Sequence, residues 1–323
     1  MRGRRSLQPA DALKSPRFAG ITTFARLPHS RDLSEVDAAF LGIPFDDATT
    51  FRSGARFGPK AVREASLLLR PYNAALKVAP FAVLNVLDYG DIDVVPGYIE
   101  DTYARVEEQM ATIAARGIRP LICGGDHSIT LPVLRALYKR LGRLSLVHID
   151  AHADCWDEYF GRKYNHGTVF RRALEEGLVE PSSSVHVGIR GPIYSEGDYE
   201  EVKKMGYRLI TMEEVRGKGL NEALRQILSI AQGPVYVSFD IDACDPSVAP
   251  GTGTPEVAGF LAHEALSLVR SLSPLEIVGF DLVEVSPPYD VAGITALLAS
   301  NLLYEALSAM ALNALRGRGN AKP

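Results

Sequence analysis

Two clusters of carboxylates, each placed where an apolar run ends, are the residues best suited to chemistry in this 323-residue chain. The first is residues 150–154, with the sequence DAHAD, and the second is residues 240–242, with the sequence DID. Within each cluster the polar side chains alternate, and in an extended segment that spacing puts them on one face. Carboxylates gathered in a buried place are unfavourable unless cations neutralise them. The pattern therefore predicts a metal site.

A third apolar run adds a histidine. It leads through Gly124 and Gly125, which allow a tight backbone turn. The predicted ligands are two imidazoles and four carboxylates: His127, Asp150, His152, Asp154, Asp240 and Asp242. Each motif alone is often a solvated turn, but together they favour two cations sharing bridging carboxylates. Oxygen and imidazole donors indicate Mn²⁺, with Ni²⁺, Co²⁺, Fe²⁺ or Zn²⁺ as alternatives.

The elements that must position these residues follow from the hydrophobic pattern. Apolar runs rich in β-branched residues predict strands at 36–43, 83–87, 119–123, 144–149, 185–189, 207–210, 235–241 and 276–282. Amphipathic segments predict helices at 103–116, 131–141, 220–231 and 262–271. Alternating strands and helices imply an α/β fold with a parallel sheet covered on both faces. In such sheets functional side chains collect beyond the carboxyl ends of the strands.

Composition limits the classes of partner. The net charge of -4 gives no basic surface suited to nucleic acid or to an anionic membrane, so we expect small-molecule partners. We find no signal-peptide core and no membrane-spanning run, and we expect a cytoplasmic protein. No linker interrupts the pattern, so residues 18–323 are predicted to form one catalytic domain after a basic arm at 1–17.

The cysteines allow two interpretations. Cys123, Cys155 and Cys244 form no CxxC pair and no even disulfide framework, which fits a reducing compartment. All of them lie close to the predicted ligands. They are either small residues suited to crowded strand ends, or one of them is a redox switch or an additional ligand.

The chain resembles the ureohydrolase family, which includes arginase, agmatinase and the guanidino-acid hydrolases. The resemblance rests on residues 124–128 (GGDHS), 150–154 (DAHAD) and 238–255 (SFDIDACDPSVAPGTGTP). It extends from about residue 18, through 52–59 (RSGARFGP), to 279–287 (GFDLVEVSP), and is closest to agmatinase and to guanidinobutyrase or guanidinopropionase. It implies a three-layer α/β/α sandwich on a mostly parallel sheet of about eight strands. It also implies a homo-oligomer, either a trimer or a hexamer.

The resemblance implies a role for each polar group. One metal would be held by His127, Asp150, Asp154 and Asp240, and the other by Asp150, His152, Asp240 and Asp242. Glu284 would hold the planar cationic guanidinium of the substrate. A hydroxide bridging the metals would attack, Asp154 would take a proton temporarily, and His166 would protonate the departing amine. The expected enzyme is a hydrolase of linear amidines that releases urea and an amine in polyamine or guanidino metabolism.

The tail of the substrate stays open at this point. Trp156 and Tyr159 would wall an alkyl chain or else pack in the core, and Asn165 is a further candidate for substrate contact. A carboxylate tail, as in 4-guanidinobutanoate or 3-guanidinopropanoate, calls for a cation, and an amine tail, as in agmatine, calls for an anion. The candidates are Arg162, Lys163 and Arg190 for the first tail and Asp157 and Glu158 for the second.

Other functions are also considered. Residues 46–49 (DDAT) stand where relatives commonly carry a glycine pair, which keeps guanidine or another small guanidine open as the substrate. A catalytically silent binding protein on this scaffold is an alternative of another class. A deacetylase-like hydrolase is disfavoured, because it is expected to use one metal and fewer carboxylates.

Overall fold

The computed structural model describes residues 6–320, with side chains up to residue 317. Its eight strands are β1 Ala38–Ile43, β2 Val86–Asp91, β3 Arg119–Gly124, β4 Ser145–Ile149, β5 Val185–Ile189, β6 Arg208–Thr211, β7 Pro234–Asp240 and β8 Glu276–Val283. The α-helices of the described range are α1 Gly58–Ser66, α2 Pro80–Val83, α3 Ile99–Ala115, α4 Thr130–Leu141, α5 Val169–Glu175, α6 Asp198–Lys204, α7 Met212–Lys218, α8 Leu220–Ile230, α9 Ala262–Ser271 and α10 Ile294–Asn320.

All the strands form one parallel sheet in the order β2-β1-β3-β8-β7-β4-β5-β6. Strands β3 and β4 follow one another in the chain but are separated in the sheet by β8 and β7. The carboxyl ends of β3, β8, β7 and β4 therefore lie side by side at the centre of one edge. This edge carries the polar motifs.

The sheet divides the core into two apolar clusters, one on each face. Along β7, Val235, Val237 and Phe239 belong to one cluster and Tyr236 to the other. This alternation follows from the two-residue period of a strand, and it lets helices cover both faces. The predicted three-layer α/β/α fold is confirmed.

Helix α10 is apolar on all sides and packs against α1, α9 and β8. By length and composition it is the one helix of the described residues that would pass as a membrane span, over Ile294–Gly317. In this structure 83% of that apolar stretch is buried inside the protein. It is therefore a core helix of the domain.

Two predicted segments need comment. The strand predicted at 83–87 instead runs over Val86–Asp91, because Pro80 begins the short helix α2 and delays the extended segment. In the predicted arm, Leu7 is buried and the Ala10 N–H donates to the carbonyl of Arg26. Residues 1–5 lie outside the described range, and the domain boundary at residue 17 stays a prediction.

Candidate metal centre and active site

Four neighbouring strands deliver the polar groups to one place. His127 begins a 3-10 turn after β3, Asp150 follows β4, Asp240 ends β7 and Glu284 follows β8. Register pairs Ile149 with Phe239, which sets Asp150 beside Asp240. These four residues are almost fully buried. The structure thus brings together the residues that the sequence placed at separate strand ends.

His127 lies at the centre of a first group of ligands. Its Nδ1 atom is 3.2 Å from an oxygen of Asp150, 3.0 Å from Asp154 and 3.2 Å from Asp240. This buried atom nevertheless has no hydrogen-bond partner among the described residues. Its Nε2 atom lies 2.8 Å from the hydroxyl of Ser238, which donates to Asp281 at 2.6 Å.

Since the Ser238 hydroxyl donates its proton to Asp281, it accepts from the Nε2–H of His127. This leaves a lone pair on Nδ1 of His127, facing three carboxylates. An imidazole lone pair and carboxylate oxygens around one point are the donor set of a divalent transition metal. The residues present therefore fit a cation.

A second group forms around His152. Its Nδ1 atom is 3.1 Å from Asp242 and 3.5 Å from Oδ1 of Asp150. The two oxygens of Asp150 thus face different histidines, Oδ2 toward His127 and Oδ1 toward His152. Asp242 is 1% exposed and donates its N–H to Asp240 at 2.8 Å. The arrangement gives two adjacent groups of ligands that share Asp150.

Burial and mutual repulsion control the protonation of this cluster. Burial, and then the charges of Asp242 and Asp150, raise the pKa of Asp240 well above its ordinary value. Burial and the charge of Asp150 raise the pKa of Asp242 to about 6. Burial opposes the charged form of His127, but the neighbouring carboxylates raise its pKa well above the usual value. In the absence of metal ions, bound protons therefore neutralise part of the negative charge of the carboxylates.

This balance predicts how metal binding depends on pH. Since bound protons must leave before a cation binds, we expect Mn²⁺ affinity to rise as the pH passes about 6. The folded pKa values of Asp240, Asp242 and His127 lie above their unfolded values, so the metal-free protein loses stability as the pH rises through them. The increase in Tm on adding Mn²⁺ should therefore be larger at about pH 8 than at about pH 6, measured by differential scanning fluorimetry.

Asp150 does not change this expectation. Burial raises its pKa, but His148 and the other histidines lower it well below the ordinary value. Its contribution to stability is therefore lost only as the pH falls into the acid range, below the window of the experiment. Equal Tm increases at both pH values would contradict the prediction.

Glu284 and His166 stand beside the first group of ligands. Oε1 of Glu284 accepts the backbone N–H of His127 at 2.9 Å and the Nδ1–H of His166 at 3.0 Å. Both of these bonds use Oε1, which leaves Oε2 for a ligand. Glu284 is 1% exposed, so a cation bound there would be largely desolvated and the attraction would be strong.

His166 is also fixed on its other side. Its Nε2 atom accepts the backbone N–H of Thr50 at 3.0 Å and lies 2.9 Å from the Thr50 hydroxyl. The backbone N–H can only donate, so the ring carries its proton on Nδ1. Burial opposes the charged form of His166, but Glu284 raises its pKa above the usual value. His166 thus joins the loop at Thr50 to the carboxylate of Glu284.

Two site residues hold unusual backbone conformations. Asp154 has φ +49° and Glu284 has φ +63°, which is the left-handed region that non-glycine residues rarely adopt. Such strain persists when the surrounding structure fixes the backbone, and it is common at functional sites. At Glu284 the N–H donates to the carbonyl of Gly125 at 2.8 Å, which ties the end of β8 to the end of β3.

The two aspartates of residues 46–49 stabilise the conformation of the loop that contains Thr50. Asp46 is buried, pairs with Arg56 and accepts the N–H of Gly54. Asp47 also pairs with Arg56. The loop that contains Thr50 is therefore held by an ion-pair network, which fixes its position against His166.

A cavity of about 550 Å³ opens onto the ligands. Its walls include the ligands His152, Asp154 and Asp240, the histidine His166, and the side chains Thr50, Phe51, Arg52, Trp156, Tyr159, Tyr194 and Glu256. The structure thus places Trp156 and Tyr159 at the cleft. A volume of this size suits a small molecule.

Other predicted contact residues lie elsewhere. Asn165 is buried and caps the turn at His166–Thr168, where its side chain accepts the N–H of Gly167 at 3.1 Å. Arg190 donates to several backbone carbonyls, among them that of Asp242 at 2.7 Å. Its guanidinium is therefore already occupied by hydrogen bonds to the protein backbone. A role for Asn165 in binding substrate stays a prediction.

The remaining tail candidates, Arg162, Lys163, Asp157 and Glu158, do not line the cavity that opens onto the ligands. Arg162 and Lys163 line a neighbouring cavity that holds none of the predicted metal ligands. Asp157 pairs with Arg172 at 2.6 Å.

The three cysteines are free and buried, and burial raises the pKa of Cys123, Cys155 and Cys244. Their surroundings favour the inert thiol.

The structure adds residues that the sequence analysis missed. His148 lies directly behind the first group of ligands: a ring nitrogen of His148 and donor atoms of His127, Asp150 and Asp154 lie within 4.8 Å of one another, and its Nε2 atom is 2.8 Å from Oδ2 of Asp150. It lies two residues before Asp150, so it follows the same two-residue spacing from which the ligands were predicted. Asp281, which accepts the hydrogen bond of the Ser238 hydroxyl, was not predicted as a site residue because it lies inside an apolar strand.

The fold and site define a class of three-layer α/β/α hydrolases that carry a histidine and aspartate cluster at the sheet edge. The sequence matches the model of the Arginase family over residues 36–309. The chain belongs to the arginase family.

Individual relatives agree with this assignment. The chain is 46% identical over 304 residues to a guanidinobutyrase of Pseudomonas aeruginosa, covering 93% of this chain and 95% of the relative. It is 46% identical over 311 residues to a guanidinopropionase of the same organism, covering 96% and 98%. The solved proclavaminate amidino hydrolase of Streptomyces clavuligerus superposes with a TM-score of 0.88 at 39% identity, covering 93% of this chain and 100% of that one. The protein is a guanidino hydrolase that acts on C–N bonds of linear amidines.

Proposed function

We propose that this protein hydrolyses a guanidino acid with a short carboxylate tail, such as 4-guanidinobutanoate or 3-guanidinopropanoate, to urea and an amino acid. The observation that carries the proposal is the buried ligand cluster with Oε2 of Glu284 left for a guanidinium beside it. The names of the two relatives at 46% identity support this substrate class.

We propose that the cluster holds two Mn²⁺ ions, with Ni²⁺ as an alternative. One ion would be held around His127 and the other around His152, with Asp150 and Asp240 shared between them. When bound, such cations supply Lewis acidity and lower the pKa of water to near neutrality. The oxygen-rich donor set supports Mn²⁺ over softer metals.

The side chains of the protein have separate tasks in this proposal. Glu284 holds the guanidinium and turns its carbon toward the ligand cluster. Asp154 lies in the cavity wall and accepts a proton during attack. His166 takes up, on Nε2, the proton that Asp154 has accepted and passes it to the departing amine, which is too basic to leave without one. A proton reaching His166 is stabilised by Glu284 at 3.0 Å.

Arg52 supports a carboxylate tail. It lines the cavity, and its guanidinium lies 4.9 Å from the ring centroid of Tyr289 and 5.3 Å from that of Phe51. Among residues 6–317, no carboxylate forms an ion pair with it. A free guanidinium supported by aromatic faces binds a carboxylate with paired hydrogen bonds. We therefore assign the tail to Arg52.

Agmatine is the second candidate, and the aromatic side of the cavity favours it. The rings of Trp156, Tyr159 and Tyr194 lie with centroids 5.7 to 6.2 Å apart. Trp156 also lies 3.4 Å from the carboxylate of Asp198. Aromatic faces beside a carboxylate suit an ammonium group.

A urea-release screen separates these candidates. The substrates are 4-guanidinobutanoate, 3-guanidinopropanoate, agmatine, arginine and guanidine, each with Mn²⁺ or Ni²⁺. We expect the highest kcat/KM for a guanidino acid and a selective loss of that activity in Arg52→Ala. A preference for agmatine that Arg52→Ala leaves unchanged would favour the ammonium tail. Absence of urea from every substrate would favour a silent binding protein.

His166 is expected to act on turnover rather than on metal binding. Replacing it with Asn should lower kcat by about 100-fold or more, the usual contribution of a positioned proton donor. The bound Mn²⁺, measured by elemental analysis, should stay the same because His166 is outside the ligand groups. The readout is kcat between pH 6 and 9.

Thr50→Ala is the matched control for this variant. It removes the hydroxyl near Nε2 of His166 but keeps the backbone N–H at 3.0 Å. We expect a loss of less than about 10-fold, the size of one hydrogen bond. Full turnover by His166→Asn across the pH range would contradict the proton-donor assignment.

We also propose that the protein is a cytoplasmic homo-oligomer, a trimer or a hexamer. Leu13, Phe18 and Ile21 are largely exposed, and apolar side chains in such a stretch support contact with another copy. The free cysteines support a reducing compartment. Light scattering coupled to gel filtration tests the oligomeric state.

A further inference from the structure

Two histidines form a buried pair directly behind Asp150. Nε2 of His148 lies 2.8 Å from Oδ2 of Asp150, and Nδ1 of His148 lies 2.7 Å from Nδ1 of His186. Both imidazoles are fully buried. His148 is on β4 and His186 on β5, and register pairs them across the sheet. The pair therefore joins the Asp150 carboxylate to a strand that carries no ligand.

The hydrogen bonds of the pair have one favourable direction. The ionised Asp150 only accepts, so His148 carries its proton on Nε2 and accepts on Nδ1. His186 then donates from Nδ1 and keeps a bare lone pair on Nε2, an atom without a hydrogen-bond partner in the described structure. The reverse direction would require a doubly protonated His148 and would leave a buried N–H of His186 without an acceptor, which costs more.

Aromatic rings enclose the pair. The ring of Phe170 lies 4.2 Å from that of His148 and 5.5 Å from that of His186, and the Tyr207 ring lies 4.6 Å from that of His186. These walls offer no competing hydrogen-bond partner to the imidazoles. In such a low-dielectric place a hydrogen bond is strong and its loss is costly.

The bond from His148 reaches the oxygen of Asp150 that faces His127. Oδ2 is 3.2 Å from Nδ1 of His127, whereas Oδ1 is fixed separately by the backbone N–H of His152 at 2.6 Å. Loss of the His148 bond would free Oδ2 while Oδ1 kept its partner. The effect would therefore fall on the ligand group around His127.

We propose that His148 and His186 are positioning residues that aim Oδ2 of Asp150 and so set the affinity of the His127 ligand group for its metal. This inference rests on the proposed function, because it requires metal binding at the cluster. His186 acts without touching any ligand, since its contact is to His148. Outer hydrogen bonds of this kind typically change metal affinity by about 10- to 100-fold.

The test titrates Mn²⁺ into the metal-free full-length protein by calorimetry, without substrate. His186→Leu removes the donor to His148, and we expect one of the two Mn²⁺ equivalents to bind about 10-fold more weakly. His186→Gln offers an amide N–H to Nδ1 of His148, and it should recover most of the lost affinity. Tyr207→Phe is the matched control: it keeps the ring against His186 and loses only a hydrogen bond to the carbonyl of Phe170. It should bind Mn²⁺ as the wild type does.

Other results would overturn the proposal. Unchanged Mn²⁺ affinity in His186→Leu, with a loss of Tm like that of Tyr207→Phe, would make the pair a packing feature. Complete loss of one equivalent in His148→Leu with no effect of His186→Leu would make His148 a ligand. A wild-type protein that binds no Mn²⁺ would overturn the proposed function and this inference with it, whereas binding that is insensitive to His186 overturns this inference alone.

Discussion

Replacing Asp240 with Asn is expected to lower urea release by at least about 1,000-fold, because several kcal/mol of transition-state stabilisation depend on metal charge. Oδ1 of Asp240 accepts the N–H of Asp242 at 2.8 Å, and an amide oxygen keeps that bond. The amide nitrogen would replace Oδ2, which lies 3.2 Å from Nδ1 of His127, and would point donors where a cation is expected. Bound Mn²⁺ should fall, as measured by elemental analysis after gel filtration.

Asp245→Asn is the matched control for this variant. Asp245 lies in the loop that follows the second carboxylate cluster and accepts the N–H of Ser247 at 2.9 Å and that of Gly259 at 3.2 Å. It belongs to neither ligand group, so its amide should leave bound Mn²⁺ unchanged. Wild-type Mn²⁺ content and turnover in Asp240→Asn would contradict the assignment of Asp240 as a shared ligand.

Glu284→Gln is expected to lower kcat/KM by about 100- to 1,000-fold while bound Mn²⁺ stays the same. Oε1 of Glu284 already accepts from His127 and His166, so the oxygen of Gln would keep those bonds. Its NH₂ group would then take the place of Oε2 and meet the guanidinium donor to donor. Loss of a buried charge pair of this kind costs about 2 to 5 kcal/mol, consistent with the expected decrease. Steady-state kinetics on 4-guanidinobutanoate measure it.

Glu256→Gln tests whether any carboxylate of the cavity has the same effect. Glu256 lines the cavity, and its carboxylate lies 4.0 Å from Nε2 of His152. We expect a loss of less than about 10-fold, since a partly exposed carboxylate at this distance contributes little. Equal losses in the two variants would argue against a specific role for Glu284 in holding the guanidinium.

The sequence predicted the fold, and it predicted that these histidines and aspartates gather at one edge of the sheet, because both depend on local patterns. Strands buried on both faces appear as apolar runs, and each of the ligand motifs directly follows such a run. A parallel sheet puts the ends of β3, β4 and β7 at the same edge, but the strand order that makes them near neighbours, with β8 and β7 between β3 and β4, is seen only in the structure. The arginase-family assignment is confirmed, while the individual roles of Asp154, His166 and Asn165 stay predictions.

Other features depend on tertiary contacts that no local pattern reveals. Helix α10 is mostly buried and apolar around its circumference, so it lacks the amphipathic period by which α3, α4, α8 and α9 were recognised. Arg190 looked like a free cation in the sequence, but the backbone carbonyls around it become neighbours only in the folded chain. For the same reason the sequence did not suggest Arg52 as a candidate for the tail, because its lack of an ion pair among residues 6–317 is a property of the assembled cavity.

The position of β7 and β8 between β3 and β4 has a consequence for the order of events during synthesis. The ribosome synthesises the strands of the two flanks of the sheet, β2-β1-β3 and β4-β5-β6, before the two central strands exist. The native sheet therefore cannot connect its two flanks until β7 and β8 have been made. Asp240 is the last residue of β7 and Glu284 follows β8, so both are synthesised with the central strands. We therefore expect the newly made protein to bind Mn²⁺ only after these two strands have joined the flanks of the sheet.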